Sequence, residues 1–146
     1  MDIEIAVLGG VINSPKKFND VAKYIISDKV WDDGRCKVLW GILEAMTRKN
    51  EHIDMITISS SLDASNKVVG VDSVFIVECT STAGSEASLE VYAKKIYEKY
   101  LLKLVAQSAK DIETVALNNN ANALDVLVSA HTSIGELISL RPDNTF

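Results

Sequence analysis

Several groups of residues in this chain carry the atoms that chemistry needs. Asp32 and Asp33 are adjacent carboxylates close to Arg35. Paired carboxylates can work as acid and base, or hold a cation, when both side chains converge on one point. Neighbouring side chains on a loop diverge instead, and an aspartate just ahead of an apolar periodic segment reads as a helix start. Cys36 and Cys79 are the two cysteines, and neither belongs to a C-x-x-C pair. His52 and His131 are far apart and lack the spacing of metal ligands. The two thiols therefore read as small core residues. Ser59-Ser60-Ser61 has no base nearby in sequence to activate a hydroxyl. No G-x-x-x-x-G-K-[ST], G-x-S-x-G or H-E-x-x-H occurs. The residues present predict no catalytic group, no cofactor site and no metal site.

The remaining candidates are contact residues, and they lie in the last third of the chain. Tyr92, Tyr97 and Tyr100 sit on a long periodic segment, Tyr92 and Tyr100 on its apolar stripe and Tyr97 off it. Buried aromatics serve a core; exposed ones serve protein contacts, where tyrosine is enriched. The segment begins with Ser85 as N-cap, with Glu86 and Glu90 in its first turns, where negative charge is favoured. Its apolar set includes Leu89, Ile96, Leu101, Leu104, Val105, Ile112 and Val115, close to the 3.5-residue repeat of coiled-coil-like packing. Asn118-Asn119-Asn120 breaks it. A second amphipathic segment follows from Ala121 to about Leu140, using Leu124, Leu127, Val128, His131, Ile134, Leu137 and Ile138. The pattern predicts a protruding antiparallel helical hairpin with more apolar positions than two helices can hide from each other.

The elements ahead of the hairpin read as a small globular helical head of about five helices. Two prolines and much Ala, Leu, Ile, Val and Lys favour helix. Asp2 to Ile12 forms the first, with Gly9-Gly10 inside it allowing close packing or ending it. Ser14-Pro15 starts a second that runs to about Ile26. Ser27 to Gly34 connects, carrying Val30-Trp31. Arg35 to Lys49 is a third, with Val38, Leu39, Ile42, Leu43 and Met46 inward and Trp40 partly exposed. Asp54 to Leu62 is strand by β-branching or short helix by its cap at Asp54 or Thr57, and the cap favours helix. Lys67 to Gly70 is a loop. Val71 to Cys79 is again strand or buried helix, and the helical context favours helix. The domains expected are 1–84, a helical head; 85–140, a helical hairpin; and 141–146, the start of a linker, with the small residues 81–84 as boundary.

Charge and hydropathy narrow the function classes. The net charge is −5, with 9 basic and 12 acidic side chains in residues 1–84 and 6 and 8 in residues 85–146. A duplex binder shows a basic face, so direct DNA binding is not expected. No apolar run approaches the ~20 residues of a membrane helix. The acidic start Met1-Asp2-Ile3-Glu4 is unlike a signal peptide, so a cytoplasmic location is expected.

In this order the segments resemble the N-terminal domain of bacterial and phage replicative DNA helicases of the DnaB family. Glu4 through Gly10 resembles the family's opening run, an acidic residue and then V-L-G-[GA]. Val30-Trp31 through Ile42 stands where the family has F-Y-x-x-x-H-x-x-I-[FY]-x-A-I. His52 to Ile58 is similar to P-I-D-x-x-T-L, and Val69-Gly70 to the start of V-G-G. Glu90-Val91-Tyr92-Ala93, Glu98-Lys99 and Leu101-Leu102-Lys103 resemble E-x-Y-A and E-K-x-L-L-R, and Val126 to Ile134 fits the return helix. Arg35 stands for the usual His, His52 for Pro, Val71 for the second Gly and Ser88 for a common Asn.

The resemblance implies an all-α head and hairpin that neither hydrolyses ATP nor unwinds DNA, with ATP and Mg²⁺ handled by a separate motor domain. It implies self-association as a dimer, as a trimer of dimers in a ring-shaped collar, with primase and in some systems a helicase loader as partners. Ile96, Tyr100, Leu104 and Ile134 are expected at the self-association contact, and Tyr92, Tyr97, Leu124 and Leu127 at partner docking. The alternatives are a stand-alone, phage-type helical adaptor that binds primase or a loader, and a nucleic-acid-binding helical domain.

Overall fold

In a computed structural model of the chain, residues 2–64, 70–140 and 142 are described. The expected loop at 67–70, apart from Gly70, and the expected linker at 141–146, apart from Pro142, fall outside these residues. Every described element is helical: α1 Ile3–Asn13, α2 Phe18–Ala22, α3 Gly34–Arg48, α4 Met55–Ala64, α5 Ser73–Thr82, α6 Glu86–Ala116 and α7 Ala123–Ser139, with 3₁₀ turns at Pro15–Lys17 and Asp28–Val30. The expected all-α class holds, and the two segments left between strand and helix are both helices. By contacts the chain divides into Met1–Tyr97 and Glu98–Phe146. That division falls inside α6 and not at the small residues before it, so the first three turns of α6 belong to the head.

Short polar side chains set where the helices begin. The Asp2 carboxylate accepts from the N–H groups of Glu4 and Ile5 at 3.0 and 3.3 Å. Asp33 caps α3, accepting from the Arg35 N–H at 2.9 Å. Asp54 and Thr57 cap α4 reciprocally. The Thr57 N–H donates to Asp54 at 2.8 Å, and the Asp54 N–H donates to the Thr57 hydroxyl at 2.9 Å. Asp72 accepts from the Phe75 N–H, and Ser85 from the Ser88 N–H. Each cap satisfies donors that a helix N-terminus otherwise leaves without partners.

The head is organised around α1. Residues Ile5 to Ile12 are all buried, so this helix is covered on every side and not amphipathic. Gly9 and Gly10 do not end the helix; they let other elements close on it. A Cβ at Gly9 would lie 1.8 Å from the Cys79 carbonyl oxygen of α5, and one at Gly10 would lie 2.6 Å from Leu89 Cδ1 of α6. Asn13 adds a hydrogen bond from its side-chain amide to the Thr80 carbonyl. Cys36 and Cys79 are both buried and free, and burial pushes their thiols well above the ordinary range, Cys79 to about 12.

Three expectations are corrected. The second helix stops at Ala22 and not near Ile26, and Ile25 and Ile26 are only half-buried in the turns that follow. Trp40 is not partly exposed. It is 4% exposed, with its ring stacked 4.7 Å from that of Phe18 and 5.7 Å from Trp31. The inward face of α3 is therefore Cys36, Leu39, Trp40, Leu43 and Met46. Val38 and Ile42 fall to its half-buried margin because the two tryptophans and Phe18 pull that face round.

Candidate interaction surface

The residues expected to make contacts distribute between two environments. Ile96 and Tyr97 lie in the core of the head, 5% and 1% exposed, with Leu89 and Ala93 on the same face of α6. The ring of Tyr97 stands 6.1 Å from that of Tyr24. Neither residue is accessible to a second chain, and both expected contact roles are corrected to intrachain packing. Tyr97 is off the stripe as a heptad counts it. The Leu89–Ala93–Ile96–Tyr97 face is the one the head covers, and it includes Tyr97. Tyr92 is half-buried, close to Gly84. Salt bridges from Lys16 to Glu86 and from Lys23 to Glu90 flank this part of the helix at 3.4 and 2.7 Å.

The second environment is residues 98–140. Here the later turns of α6 and α7 are joined by Leu117 to Asn122, a connection short enough to make the helices antiparallel neighbours. The Asn120 N–H donates to the Asn118 side chain, and Asn122 caps α7 by accepting from the Asp125 N–H. The two helices share a cleft lined by Ser108, Asp111, Ile112 and Val115 from α6 and by Val126, Ser129, Ala130 and Ser133 from α7. The face that α7 turns to its neighbour is thus built mostly of small side chains.

Val126 and Leu137 are half-buried, and the other large aliphatics of α7 stand elsewhere. No residue of α7 is buried. Leu124 and Leu127 are 68% and 67% exposed, Val128 and Ile138 more than half, and Ile134 39%. These residues lie on one side of the helix, opposite the seam. On α6, Leu102 and Val105 are exposed as well, while Tyr100 and Leu104 are half-buried. Ile134, expected at self-association, and Leu124 and Leu127, expected at partner docking, occupy a single stripe. The head carries a smaller exposed set on α4 and α5: Ile56, Val74 and Val77. The apolar run 74–77 does not single these residues out, although Val74 stands at the second position of a capped helix, where a side chain is seldom covered by its own helix.

Among the described residues no three His, Cys, Asp or Glu side chains are placed to hold a metal ion. No helix of these residues is long and apolar enough to cross a membrane. The charged groups that are held serve local structure. Arg35 grips Asp33 through Nε and Nη2 at 3.2 and 2.8 Å and lies over the Phe75 ring. This pairing holds the Asp33 carboxyl below its usual range. Glu4 accepts from the N–H groups of Asp32 and Asp33 at 2.9 and 3.1 Å, yet its burial outweighs both bonds and raises its carboxyl. The Asp32-Asp33 pair is thus a helix start, as the sequence indicates.

Residues 1–98 match the family model described as DnaB-like helicase N terminal domain. This chain belongs to that family. The match ends one residue beyond the compact head. Among curated proteins the DnaB-like chain is 23% identical over its whole length to the replicative DNA helicase DnaC of Bacillus subtilis (strain 168), covering 32% of that protein. It is 24% identical over 72% of its length to the replicative DNA helicase DnaB of Rhodothermus marinus, covering 11% of that protein. With the DnaB of Geobacillus stearothermophilus the identity is 25% over 77% of the chain and 25% of the relative. The chain therefore spans a third or less of these relatives. The crystal structure of the N-terminal domain of DnaB helicase from Mycobacterium tuberculosis matches with a TM-score of 0.76 at 19% identity, covering 92% of this chain and 94% of that one. The shared fold thus extends past residue 98 into the hairpin. The matched region corresponds to the N-terminal domain of DnaB-like helicases.

Proposed function

We propose that this domain is an assembly and docking module of a replicative DNA helicase. Its hairpin joins subunits as a dimer, and three such dimers close a collar. ATP and Mg²⁺ would be bound by a motor domain and not by these residues. One observation carries the reading: α7 buries none of its residues while Leu124, Leu127, Val128, Ile134 and Ile138 form an exposed stripe opposite the seam. An exposed apolar stripe of this kind marks a protein contact. Tyr100 and Leu104, half-buried on the adjoining helix, would flank the contact. Ile96 and Tyr97 have no part in it.

The exposed Ile56, Val74 and Val77 of the head are the surface we assign to primase, or to a helicase loader in systems that use one. Sedimentation of the 146-residue chain from micromolar to several hundred micromolar tests the assembly role. The native chain is expected to self-associate and Leu127→Asp to remain monomeric, whereas a strict monomer throughout would overturn that role. Binding of purified primase tests the docking role. Val74→Asp is expected to weaken it at least tenfold with self-association intact, and unchanged binding would remove this patch from the reading.

A further inference from the structure

The stripe on α7 is symmetric about its own centre. Leu124, Val128, His131, Gly135 and Ile138 follow one another at alternating steps of four and three, the heptad seam of a helix pair. His131 is the midpoint. Counting outward from it, Val128 mirrors Ile134, Leu127 mirrors Gly135 and Leu124 mirrors Ile138. In an antiparallel pair related by a two-fold axis, each residue meets its mirror position on the other copy. Aliphatic then meets aliphatic at two of the steps. At the third, Leu127 meets Gly135, where nothing lies within 4 Å of a Cβ position and a large side chain finds an open hole. The central residue meets itself.

The charge pattern points to the same occupant. α7 contains no Lys or Arg, and its two acids, Asp125 and Glu136, lie off the stripe. The charged groups of the neighbouring turns of α6, Lys110, Asp111 and Glu113, belong to the helix packed on the opposite face of α7. His131 is thus the one group on the stripe that can become charged. With a neutral imidazole the stripe is uncharged, and its complement is another uncharged stripe. At 17 residues α7 is about 25 Å long, and a face about 10 Å wide offers roughly 250 Å². A standard interface covers about 800 Å² on each side, so pairing through α7 is weak by itself and open to control.

Resting on the self-association reading above, we propose that two copies of this chain pair through α7 about a two-fold axis at His131, so that pairing requires uncharged imidazoles and is released by acid. Two imidazolium groups on the axis repel and sit among aliphatics, while the ordinary imidazole titrates near pH ~6.5.

Sedimentation equilibrium of the chain at pH 8 and pH 5.5 reads this directly. The expected result is a dimer that weakens at least tenfold in acid, a pH-independent dimer for His131→Leu, and unchanged pH dependence for His52→Gln, whose imidazole pairs with Asp54 in the head. Under oxidising conditions His131→Cys is expected to form a disulfide-linked dimer and Glu136→Cys to stay unlinked. Native association that ignores pH, or a cysteine at 131 that fails to link while Leu127→Asp still abolishes the dimer, overturns the axis and leaves the assembly role standing. No association at any pH overturns both.

Discussion

Helices α1 and α7 are both rich in aliphatic residues, and they meet opposite fates. In α1 eight consecutive residues are buried; in α7 none is. Apolar content does not separate them, since each carries enough for a core. What separates them is the size of the side chains on the approach. Gly9 and Gly10 let the backbone of α5 and a leucine of α6 reach α1. On α7 the small residues also mark the packed side, but the bulk stands on the other face. Small residues decide where a neighbour comes close, and large ones decide how much surface it then covers.

The contrast can be broken most sharply at the glycines. Gly9→Ala places a methyl against the Cys79 carbonyl, which belongs to helix backbone and cannot turn away. Urea unfolding is expected to show a loss of more than about 3 kcal/mol, at the upper end of overpacking. Gly135→Ala faces open space and is expected to stabilise the isolated chain by up to about 1 kcal/mol, as alanine does within a helix. Leucines give the next largest difference. Leu8→Ala, at a fully buried position, is expected to cost about 3 kcal/mol by thermal or urea melts. Leu127→Ala is expected to cost under about 0.5 kcal/mol in dilute solution, where the monomer prevails. Equal costs for the two would mean that α7 is covered within its own chain.

The smallest effect concerns acid. The Asp33 carboxyl is held below its usual range, chiefly by the Arg35 side chain. Its stabilising contribution is complete above the ordinary aspartate value of about 3.9 and fades as pH falls through the lower folded-state value. Asp33→Ala is expected to cost about 1 kcal/mol at pH 7 and to lose part of the difference from the native chain below pH 3. Glu4 runs the other way. Its raised carboxyl makes the ionised form unfavourable, and acid relieves that cost. Melting curves between pH 2 and 7 separate the two slopes.

Where the information is local, the sequence is legible. Asp33, Asp54 and Ser85 announce helix starts because a cap is made by residues within three positions of each other. The hairpin announces itself through its asparagine break. What fails is the choice of face. Trp40 looks peripheral on its own helix until Phe18 and Trp31 come to it from elsewhere. Tyr97 looks like a contact residue because a heptad count of α6 does not know that its first turns are covered by the head. On α7 the apolar positions read as one set. The division between the cleft residues Val126, Ser129, Ala130 and Ser133 and an outer stripe of leucine, isoleucine and valine appears only once the neighbouring helix is in place.

The two thiols have a practical consequence. Cys36 and Cys79 are shut away from solvent and held protonated, so neither offers the thiolate that alkylating reagents attack. The native chain is chemically silent at cysteine for as long as α3 and α5 stay closed. The rate at which iodoacetamide consumes those two sulfurs is therefore a clock for the opening of the head, and it can be read by mass alone, without a label, a ligand or a partner.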